Sequence, residues 1–436
     1  MTGETDRARS VYTETNEVPI LGDFDVIVVG GGPAGVAAAL SAARRQLRVL
    51  LVESYGFLGG MWTAGMVNPM FDCENKGGIC AELVGAVNQK GMSTEIGPNM
   101  WCFDTETMKS LLDDLVLREG ITLLLHTHFV RPIVEGNRIQ GVVVENKGGC
   151  GAYFAKIVID CTGDGDVAAR AGAPYEIGDE NGKTQPMTLM FKMSNIDYIQ
   201  DYYSYPHYQD NELILMIDRA LQRVGVNDYP FNYRRPCVIR IPGEHTALCQ
   251  ATHIRNRLSV NPSDLTMAEI EGRKEVARFL DLLREYLPQF SRAYLDTTGP
   301  HIGIRESRRI QGEYRLTEED ILHSRKFDDG ICTATFWVDI HQHDDIDQEA
   351  QKDEMLQPDY QIPYRCLVPL AVDNLLVAGR CISGSFTAHA SYRVTGNCVA
   401  MGQAAGTAAS LCLKQGISPR ALNGAEVAGA MVKDGA

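Results

Sequence analysis

Asp25 to Glu53 reads DVIVVGGGPAGVAAALSAARRQLRVLLVE, and this stretch decides the fold. Val26–Val29 is an unbroken apolar run of the kind buried on both faces of a parallel sheet. Gly30, Gly32 and Gly35 follow it at once as G-x-G-x-x-G, enclosing Pro33 and Ala34. Val36–Arg45 is mostly alanine with a basic end, which suits a short helix lying close on a sheet. Arg48–Val52 then returns as a second apolar strand closed by Glu53. Gly30 permits the tight turn, Gly32 lets backbone approach a pyrophosphate, Gly35 brings helix against strand, and an acid in the position of Glu53 accepts ribose hydroxyls. A lone G-x-G-x-x-G is weak evidence. Strand, glycines, helix, strand and acid in order within about 30 residues form a dinucleotide-binding unit.

Working outward, Ser54–Thr63 (SYGFLGGMWT) is a second glycine-bearing loop at the mouth of the same sheet. Ligands of such sheets lie beyond the carboxyl ends of the strands, so Ser54, Gly59, Gly60, Met61 and Thr63 are expected to follow a long cofactor. A plain nicotinamide dehydrogenase has no need of this loop; the bland alternative is an ordinary connection. Thr105–Arg118 is an amphipathic helix with Asp104 as its N-cap. Ile121–Leu125 is extended, and Arg131–Val134 and Ile139–Glu145 form a hairpin, with Phe129 and Val130 at its entry as cofactor contacts. Ile157–Asp160 is a further buried strand running into Thr162-Gly163-Asp164, and Asn374–Arg380 repeats the pattern with Gly379 and Arg380 at its end. Val399–Lys414 is a helix with Gly402, Ala405, Gly406 and Ala409 on a close-packing face.

Between these halves the texture changes. Thr188–Ser194 and Cys237–Ile241 read as extended, Asn211–Val224 as helical, and Met267–Tyr286 as the longest helix, started near Asp264 or Thr266. The fold class is therefore α/β: a Rossmann-like nucleotide domain interrupted by an α+β substrate or cap domain and completed by the C-terminal segment. The expected boundaries are a tail over 1–22, the first part of the nucleotide domain over 23–172, the cap over 173–358 and the closing part over 359–436.

At 436 residues, with 44% hydrophobic and 22% charged residues, the chain suits two globular domains, and no apolar run approaches the ~20 residues of a bilayer span. The net charge of -15 argues against nucleic acid or an anionic membrane as partner. The first 22 residues lack the features of a secretory signal, so a cytoplasmic location is expected. Twelve cysteines never form Cys-x-x-Cys, which speaks against a dithiol centre, a zinc knuckle and a cysteine-rich iron–sulfur motif; most read as small buried apolar residues.

These motifs together resemble the FAD-dependent oxidoreductase superfamily that includes glutathione reductase-like and fumarate reductase-like enzymes, over nearly the whole chain after Asp23. The resemblance implies FAD, with Gly30–Gly35 on its pyrophosphate, Glu53 on the adenosine ribose, and Thr162–Asp164 and Leu376–Arg380 as the middle and late motifs. His389-Ala-Ser-Tyr-Arg393-Val-Thr-Gly396-Asn397-Cys398 resembles the His-Gly-Ala-Asn-Arg-Leu-Gly-Gly-Asn-Ser of fumarate reductase and succinate dehydrogenase flavoproteins. It implies His389 and Arg393 on a substrate carboxylate, with Asn397 and Cys398 at a helix start facing the flavin. Tyr392 departs from that pattern and would reshape the pocket. No histidine lies near Leu58–Met61, so the flavin is expected to be noncovalent. The helix GQAAGTA, Gly402–Ala408, is similar to that of a less characterised bacterial group of FAD-dependent oxidoreductases.

Within this resemblance Arg305, from the basic run Gly303–Arg315, is the expected cap-domain partner of His389 and Arg393, and His301 is a further candidate for handling a proton. The bland alternatives are a histidine that only satisfies backbone groups and an arginine cluster paired with Glu306 and Glu313. His341-Gln-His343-Asp344-Asp345 resembles a metal site in composition, but spacing fixes no third ligand, and it reads as a solvated acidic loop; His126 and His128, set on a strand, are read the same way, and no metal is expected. Three functions remain: hydride transfer between FAD and a small polar organic substrate, with the electron acceptor or donor unspecified; an electron-transfer flavoprotein subunit; and a protein that uses FAD without net redox. The sequence leaves the oligomeric state open, a homodimer included.

Overall fold

The computed structural model describes residues 12–197, 212–224, 236–341 and 358–436. A strand with no polar alternation must lie between two layers, and Val26–Val29 does so, wholly buried at the end of β1 (Ile20–Val29). Next along the chain come α1 (Pro33–Ala43), β2 (Val49–Val52), α2 (Thr105–Arg118), β3 (Thr122–Leu124), β4 (His128–Glu135), β5 (Arg138–Asn146) and β6 (Gly149–Asp160). They build a seven-stranded sheet in the order β3-β2-β1-β6-β5-β4, whose seventh strand also pairs with β6. β1 is parallel to both neighbours, with Val29 opposite Val52 on one side and Asp160 on the other, while β4 and β5 form the expected antiparallel hairpin. Asp104 caps α2 as expected, its side chain accepting from the Thr107 N–H. β1 begins three residues ahead of the expected boundary at Asp23, because Ile20–Phe24 pair with the extended first half of β6.

The small sheet follows: β7 (Phe191–Ser194), β8 (Cys237–Arg240), β9 (Thr246–Gln250), the long helix α3 (Pro262–Tyr286) and β10 (Tyr294–Thr298), ordered β8-β9-β7-β10 and antiparallel throughout. Its strands alternate between two cores. Phe191, Met193, Val238, Ala247 and Cys249 face α3, through Val276, Phe279 and Leu283, whereas Met190, Cys237, Ile239 and Leu248 join Met66, Ile96 and Met100 on the other face. α3 starts earlier than expected, because Asn261 caps it and Pro262 opens it; the Asn261 side chain accepts from the Ser263 and Asp264 N–H groups. The expected helix over 211–224 is present as Glu212–Val224, and Asn211 lies outside the described residues. Of the interval 173–358, the separate core holds residues from Met187 to Ile304, while Ile310, Leu316, Ile321, Cys332 and Ala334 pack in the core of the large sheet.

The chain then returns. β11 (Leu375–Val377) is parallel to the end of β6, with Val377 opposite Asp160, and α4 (Phe386–Tyr392) and α5 (Thr395–Gln415) complete the fold. α5 crosses α1 at very short range. A Cβ on Gly402 would stand 2.0 Å from the Ala34 carbonyl oxygen and one on Gly406 would stand 2.3 Å from that of Ala38. Ser41 Oγ donates to the Gln403 carbonyl at 2.9 Å and meets Thr407 Oγ1 at 3.1 Å, so the contact is also hydrogen-bonded. Eleven of the cysteines are buried and Cys150 is exposed.

This packing makes a two-sided prediction. Gly402→Val should lower stability by about 1–3 kcal/mol or more, since backbone and not a flexible side chain stands in the way. Gly85→Ala, on the helix Gly78–Gln89 with nothing within 4 Å of its Cβ, should raise it by about 0.5–1 kcal/mol. Urea midpoints of both variants check it, and an unshifted Gly402→Val would show that the two helices separate without cost.

Candidate active site

The carboxyl ends of β1, β2, β6 and β11 and the inner face of the small sheet enclose one large cavity of about 810 Å³. At its floor the three fingerprint glycines divide by role. A Cβ on Gly30, whose φ is +100°, would lie 2.4 Å from the Cys161 carbonyl oxygen, and one on Gly35 would lie 1.7 Å from that of Gly30. Both are demanded by packing within the protein. A Cβ on Gly32 would meet nothing nearer than Gly60 Cα at 3.7 Å, so its missing side chain keeps open space in the cavity. Gly32 is also the N-cap of α1 and offers no side chain to the first turn, which leaves those N–H groups to a ligand.

Glu53 is 5% exposed and ties the two glycine loops together. Its Oε2 accepts from the Gly31 N–H at 2.6 Å, and its Oε1 accepts from Ser54 Oγ and the Tyr55 N–H, each at 2.9 Å. Gly60 and Met61 line the cavity, whereas Gly59 and Thr63 lie behind it; Gly59 takes a φ of +111° and Thr63 Oγ1 donates to the Leu58 carbonyl at 2.6 Å. Ser54, Phe129, Thr162, Gly163, Asp164, Gly379, Arg380 and Cys398 line it as well, together with Pro33 and Ala34. Val130 does not, and its carbonyl takes a hydrogen bond from Arg170.

The end of β6 is held by Asp160, which is fully buried and accepts from the Thr162 N–H, Thr162 Oγ1 and the Ala168 N–H; burial pushes its pKa up to about 6. Asp164, four residues on, pairs with Arg380 at 2.9 Å and accepts from Ser307 Oγ. Burial works against this carboxylate, but Arg380 and Ser307 more than offset it and hold its pKa below the ordinary range. The basic run divides by direction. Arg308 pairs with Asp166, Arg309 with Glu306 and Glu176, and Glu313 with Arg420, so these residues form an interface network, while of Arg305, Arg308 and Arg309 only Arg305 lines the cavity.

At the junction with the small sheet Arg305 donates to the Pro186 carbonyl and to Thr188 Oγ1. Arg393 Nη2 donates to Asp339 Oδ2 at 2.8 Å, and His341 Nε2 lies 3.2 Å from Asp339 Oδ1. All four side chains line the cavity. Burial disfavours the Asp339 carboxylate, yet His341, Arg393 and Arg305 hold its pKa far below the usual value. Burial and then Arg305 depress His341 to about 4, against the support of Asp339. Phe71 and Phe336 stand 5.5 Å apart, and Trp337 stacks on Phe336 at 3.9 Å, forming an aromatic wall. His301 lines the cavity with its ring edge-on to Tyr55 at 5.9 Å.

His389 is placed differently from the expectation. It is fully buried, packs edge-on against Tyr392 and does not line the cavity. His389 lies within α4 and is buried in the core, whereas Arg393 stands at the C-cap beyond the helix and lines the cavity. The pKa of His389 is driven far below the ordinary value by burial and by Arg393, Arg309 and Arg380. Asn397 is likewise buried behind the lining. Around the start of α5 three buried donors, Arg393 Nε, Thr395 Oγ1 and Asn397 Nδ2, have no hydrogen-bond partner among the described residues. His126 precedes β4 with a φ of +50°, so it does not share a strand with His128; among the described residues no group of three acidic, histidine or cysteine side chains could hold a metal, and His343 lies outside them. Asp339, His341 and the aromatic wall were not among the expected site residues. The expected solvated loop does not hold for His341, which is buried; the local signals were the run FWVDIH and the His341–Asp345 composition, and the partners Gln185, Arg305 and Arg393 lie more than 30 residues away along the chain.

A parallel nucleotide sheet, an uncapped helix start on a glycine-kept space, and an arginine-bearing pocket under a second sheet define a flavin-binding oxidoreductase architecture. The chain matches the FAD dependent oxidoreductase family over residues 25–431 and belongs to it. FAD is its cofactor. Among curated proteins it is 29% identical over 150 residues to the thiamine thiazole synthase of Methanococcus vannielii, covering 32% of this chain and 56% of that protein. It is 25% identical over 401 residues to the tRNA uridine 5-carboxymethylaminomethyl modification enzyme MnmG of Exiguobacterium sibiricum, covering 84% of this chain and 58% of that protein. The matches thus span little more than half the length of these curated relatives. A geranylgeranyl bacteriochlorophyll reductase-like protein from Thermoplasma acidophilum superposes with a TM-score of 0.50 at 14% identity over 95% of this chain and 84% of that one, a likeness of fold. Among the described residues no helix is long and apolar enough to cross a membrane.

The residues fit the cofactor: the space above Gly32 and the orphaned donors of Arg393 and Thr395, two residues that line the cavity, suit a long polar ligand. Gly32→Leu should therefore fill that space and abolish flavin retention while the fold survives. The check is the flavin absorbance of the purified variant beside its circular dichroism, and a Gly32→Leu protein that keeps stoichiometric FAD would overturn this placement.

Proposed function

We propose that this protein transfers a hydride between noncovalently held FAD and a small polar organic substrate bound under the small sheet. Gly30, Gly32, Glu53, Gly60, Thr162 and Gly379 would hold the nucleotide and pyrophosphate, and the start of α5 would face the flavin ring. Its N-terminal dipole and the donors Arg393 Nε and Thr395 Oγ1 favour the negative charge that a reduced flavin carries. Bound FAD supplies a two-electron acceptor, while the chain positions the reacting carbon, excludes water and manages charge. We read the molecule as a flavin domain formed by both ends of the chain, with residues from about Met187 to Ile304 as the cap. The expected interval 173–358 narrows accordingly in this reading.

The observation that carries the proposal is the continuity of the cavity, which runs from the Gly32 floor to Arg305 and Arg393 without a wall between cofactor and substrate regions. Arg305 comes from beyond the small sheet and Arg393 from the flavin half, so a substrate held between them is clamped across the junction. A guanidinium binds carboxylate or carbonyl oxygen through fixed, planar donors, which suits a polarised substrate.

Arg393→Ala should leave FAD bound and lower the rate of flavin reduction by substrate about 100-fold, equivalent to roughly 2.7 kcal/mol in the transition state. Arg393→Lys should recover little of it, because an ammonium cannot both hold Asp339 and present a planar fork. Anaerobic reduction kinetics decide the matter. An Arg393→Ala protein that reacts at the normal rate, or one that loses its flavin, would make Arg393 a structural or cofactor residue instead.

A further inference from the structure

Around the start of α5 the hydrogen-bond acceptors are engaged within the chain and the donors are not. The Phe71 carbonyl takes the Gly396 N–H and the Val394 carbonyl takes the Cys398 N–H, each at 3.0 Å, while the Arg393 carbonyl takes Cys398 Sγ at 3.4 Å. Asn397 Oδ1 accepts from Cys332 Sγ at 3.5 Å, and the Asp339 carboxylate accepts from Arg393 Nη2 at 2.8 Å. Thr395 Oγ1 and Arg393 Nε, in contrast, are buried without a partner among the described residues, and both residues line the cavity. Buried polar groups are nearly always paired, so two orphaned donors at one cavity wall call for a ligand that accepts.

Thr395 has no local remedy for its hydroxyl. A threonine inside a helix can turn its hydroxyl onto the carbonyl three or four residues back, but Thr395 is the first residue of α5 and those carbonyls lie outside that helix. The N-cap, Val394, supplies no side-chain oxygen to the first turn. At 9% exposure Thr395 is also little reached by bulk water. The motif that this stretch resembles carries glycine at this position, so the hydroxyl is an addition of this chain.

We propose that the Thr395 hydroxyl, with Arg393 Nε and the start of α5, raises the reduction potential of the bound flavin and fixes the direction of the reaction: the organic substrate is oxidised and the flavin accepts. The proposal rests on the hydride-transfer reading above and deepens it. The substrate loses a hydride from a C–H bond to the flavin and a proton to solvent, and a double bond forms between the two atoms. A hydride adds two electrons and one proton to a neutral flavin and leaves one negative charge on it. A hydrogen bond to a charged acceptor is about twice as strong as one to a neutral acceptor, and the helix start acts in the same sense. The donors therefore hold the reduced form more tightly than the oxidised one, which shifts the equilibrium toward reduction. A site arranged to give up a hydride would present free acceptors here, and the one carboxylate bonded into this cluster, Asp339, is neutralised by Arg393.

The test is a reduction potential and needs no substrate. The FAD-loaded protein and free FAD are titrated anaerobically with dithionite against the same reference dyes, and the bound flavin should stand at the higher potential. Thr395→Val keeps the β-branched shape and removes the hydroxyl. It should retain FAD and lower the potential by about 30 mV, equivalent to a tenfold loss of preference for the reduced form in a two-electron couple. Thr395→Ser, which keeps the hydroxyl, should return most of that shift. Affinity for oxidised FAD, read from the fluorescence of released cofactor, should fall about tenfold or less in Thr395→Val, as for the loss of one neutral hydrogen bond. A Thr395→Val protein with the wild-type potential overturns the contact, and one that binds no FAD makes Thr395 a residue of cofactor retention instead. A wild-type potential at or below that of free FAD overturns the acceptor role. A flavin that shows the expected potentials but that no small organic molecule bleaches would sink the hydride reading, and with it the direction, and leave the Thr395 contact standing.

Discussion

The crossing of α1 and α5 is the contact on which the rest of the molecule depends. Gly402 and Gly406 have no side chain because the Ala34 and Ala38 carbonyls already occupy that space. Ser41 then locks the crossing with bonds to Gln403 and Thr407. This brings residues more than 350 positions apart in the chain into one layer, and it points two helix starts at one cavity. Helix starts favour negative charge, so both are suited to an anionic ligand. A protein that opened this crossing would lose both ends of the cofactor site at once, along with the parallel pairing of β11 on β6.

Charge at the site is managed by pairing across the chain and not by proximity in sequence. Asp164 meets Arg380, Arg308 meets Asp166, and Asp339 meets both Arg393 and His341. Each pair bridges segments that would otherwise be free to separate, so the ion pairs set geometry as much as they add stability. Buried pairs of this kind cost desolvation, and breaking one partner leaves the other charge stranded. Their concentration around a cavity is what a site that handles charge and protons requires. In the same region burial keeps His341 and His389 neutral, yet only His341 faces open space.

Much of the fold was legible in the chain. The strand-turn-helix-strand of Val26–Val52 and the Asp104-capped helix depend on neighbours within a few residues and formed where the local pattern placed them, while the helix bearing Gly402 and Gly406 starts at Thr395, four residues ahead of the expected Val399. The errors also had local causes. α3 starts at Pro262, ahead of the expected Met267, because Asn261 caps it, while Asp264 and Thr266 lie inside its first turns. The strand Ile20–Val29 began early because its first half is stabilised by pairing with β6, a partner some 130 residues away. Nothing in the local pattern of Ile310 to Ala334 says which sheet those residues will cover, and they pack in the core of the large one.

By itself the sequence determined the nucleotide unit, its cofactor class and the family, because the glycine turn is built from contiguous residues whose conformation is set by their neighbours. Tertiary structure decided which side chains stand in the cavity. His389 and Arg393 share one motif, but a helix of seven residues sends the first into the core and the second to the open side. Arg305, Arg308 and Arg309 share one basic run, yet only Arg305 reaches the cavity. Asp339 carried no motif and His341 only the composition of an acidic loop, and their setting comes from Arg393, Gln185 and Arg305 brought in from elsewhere. The physical reason is that a backbone site needs only local conformation, whereas a side-chain site is a set of distances between distant segments, and those exist only after the two sheets have packed.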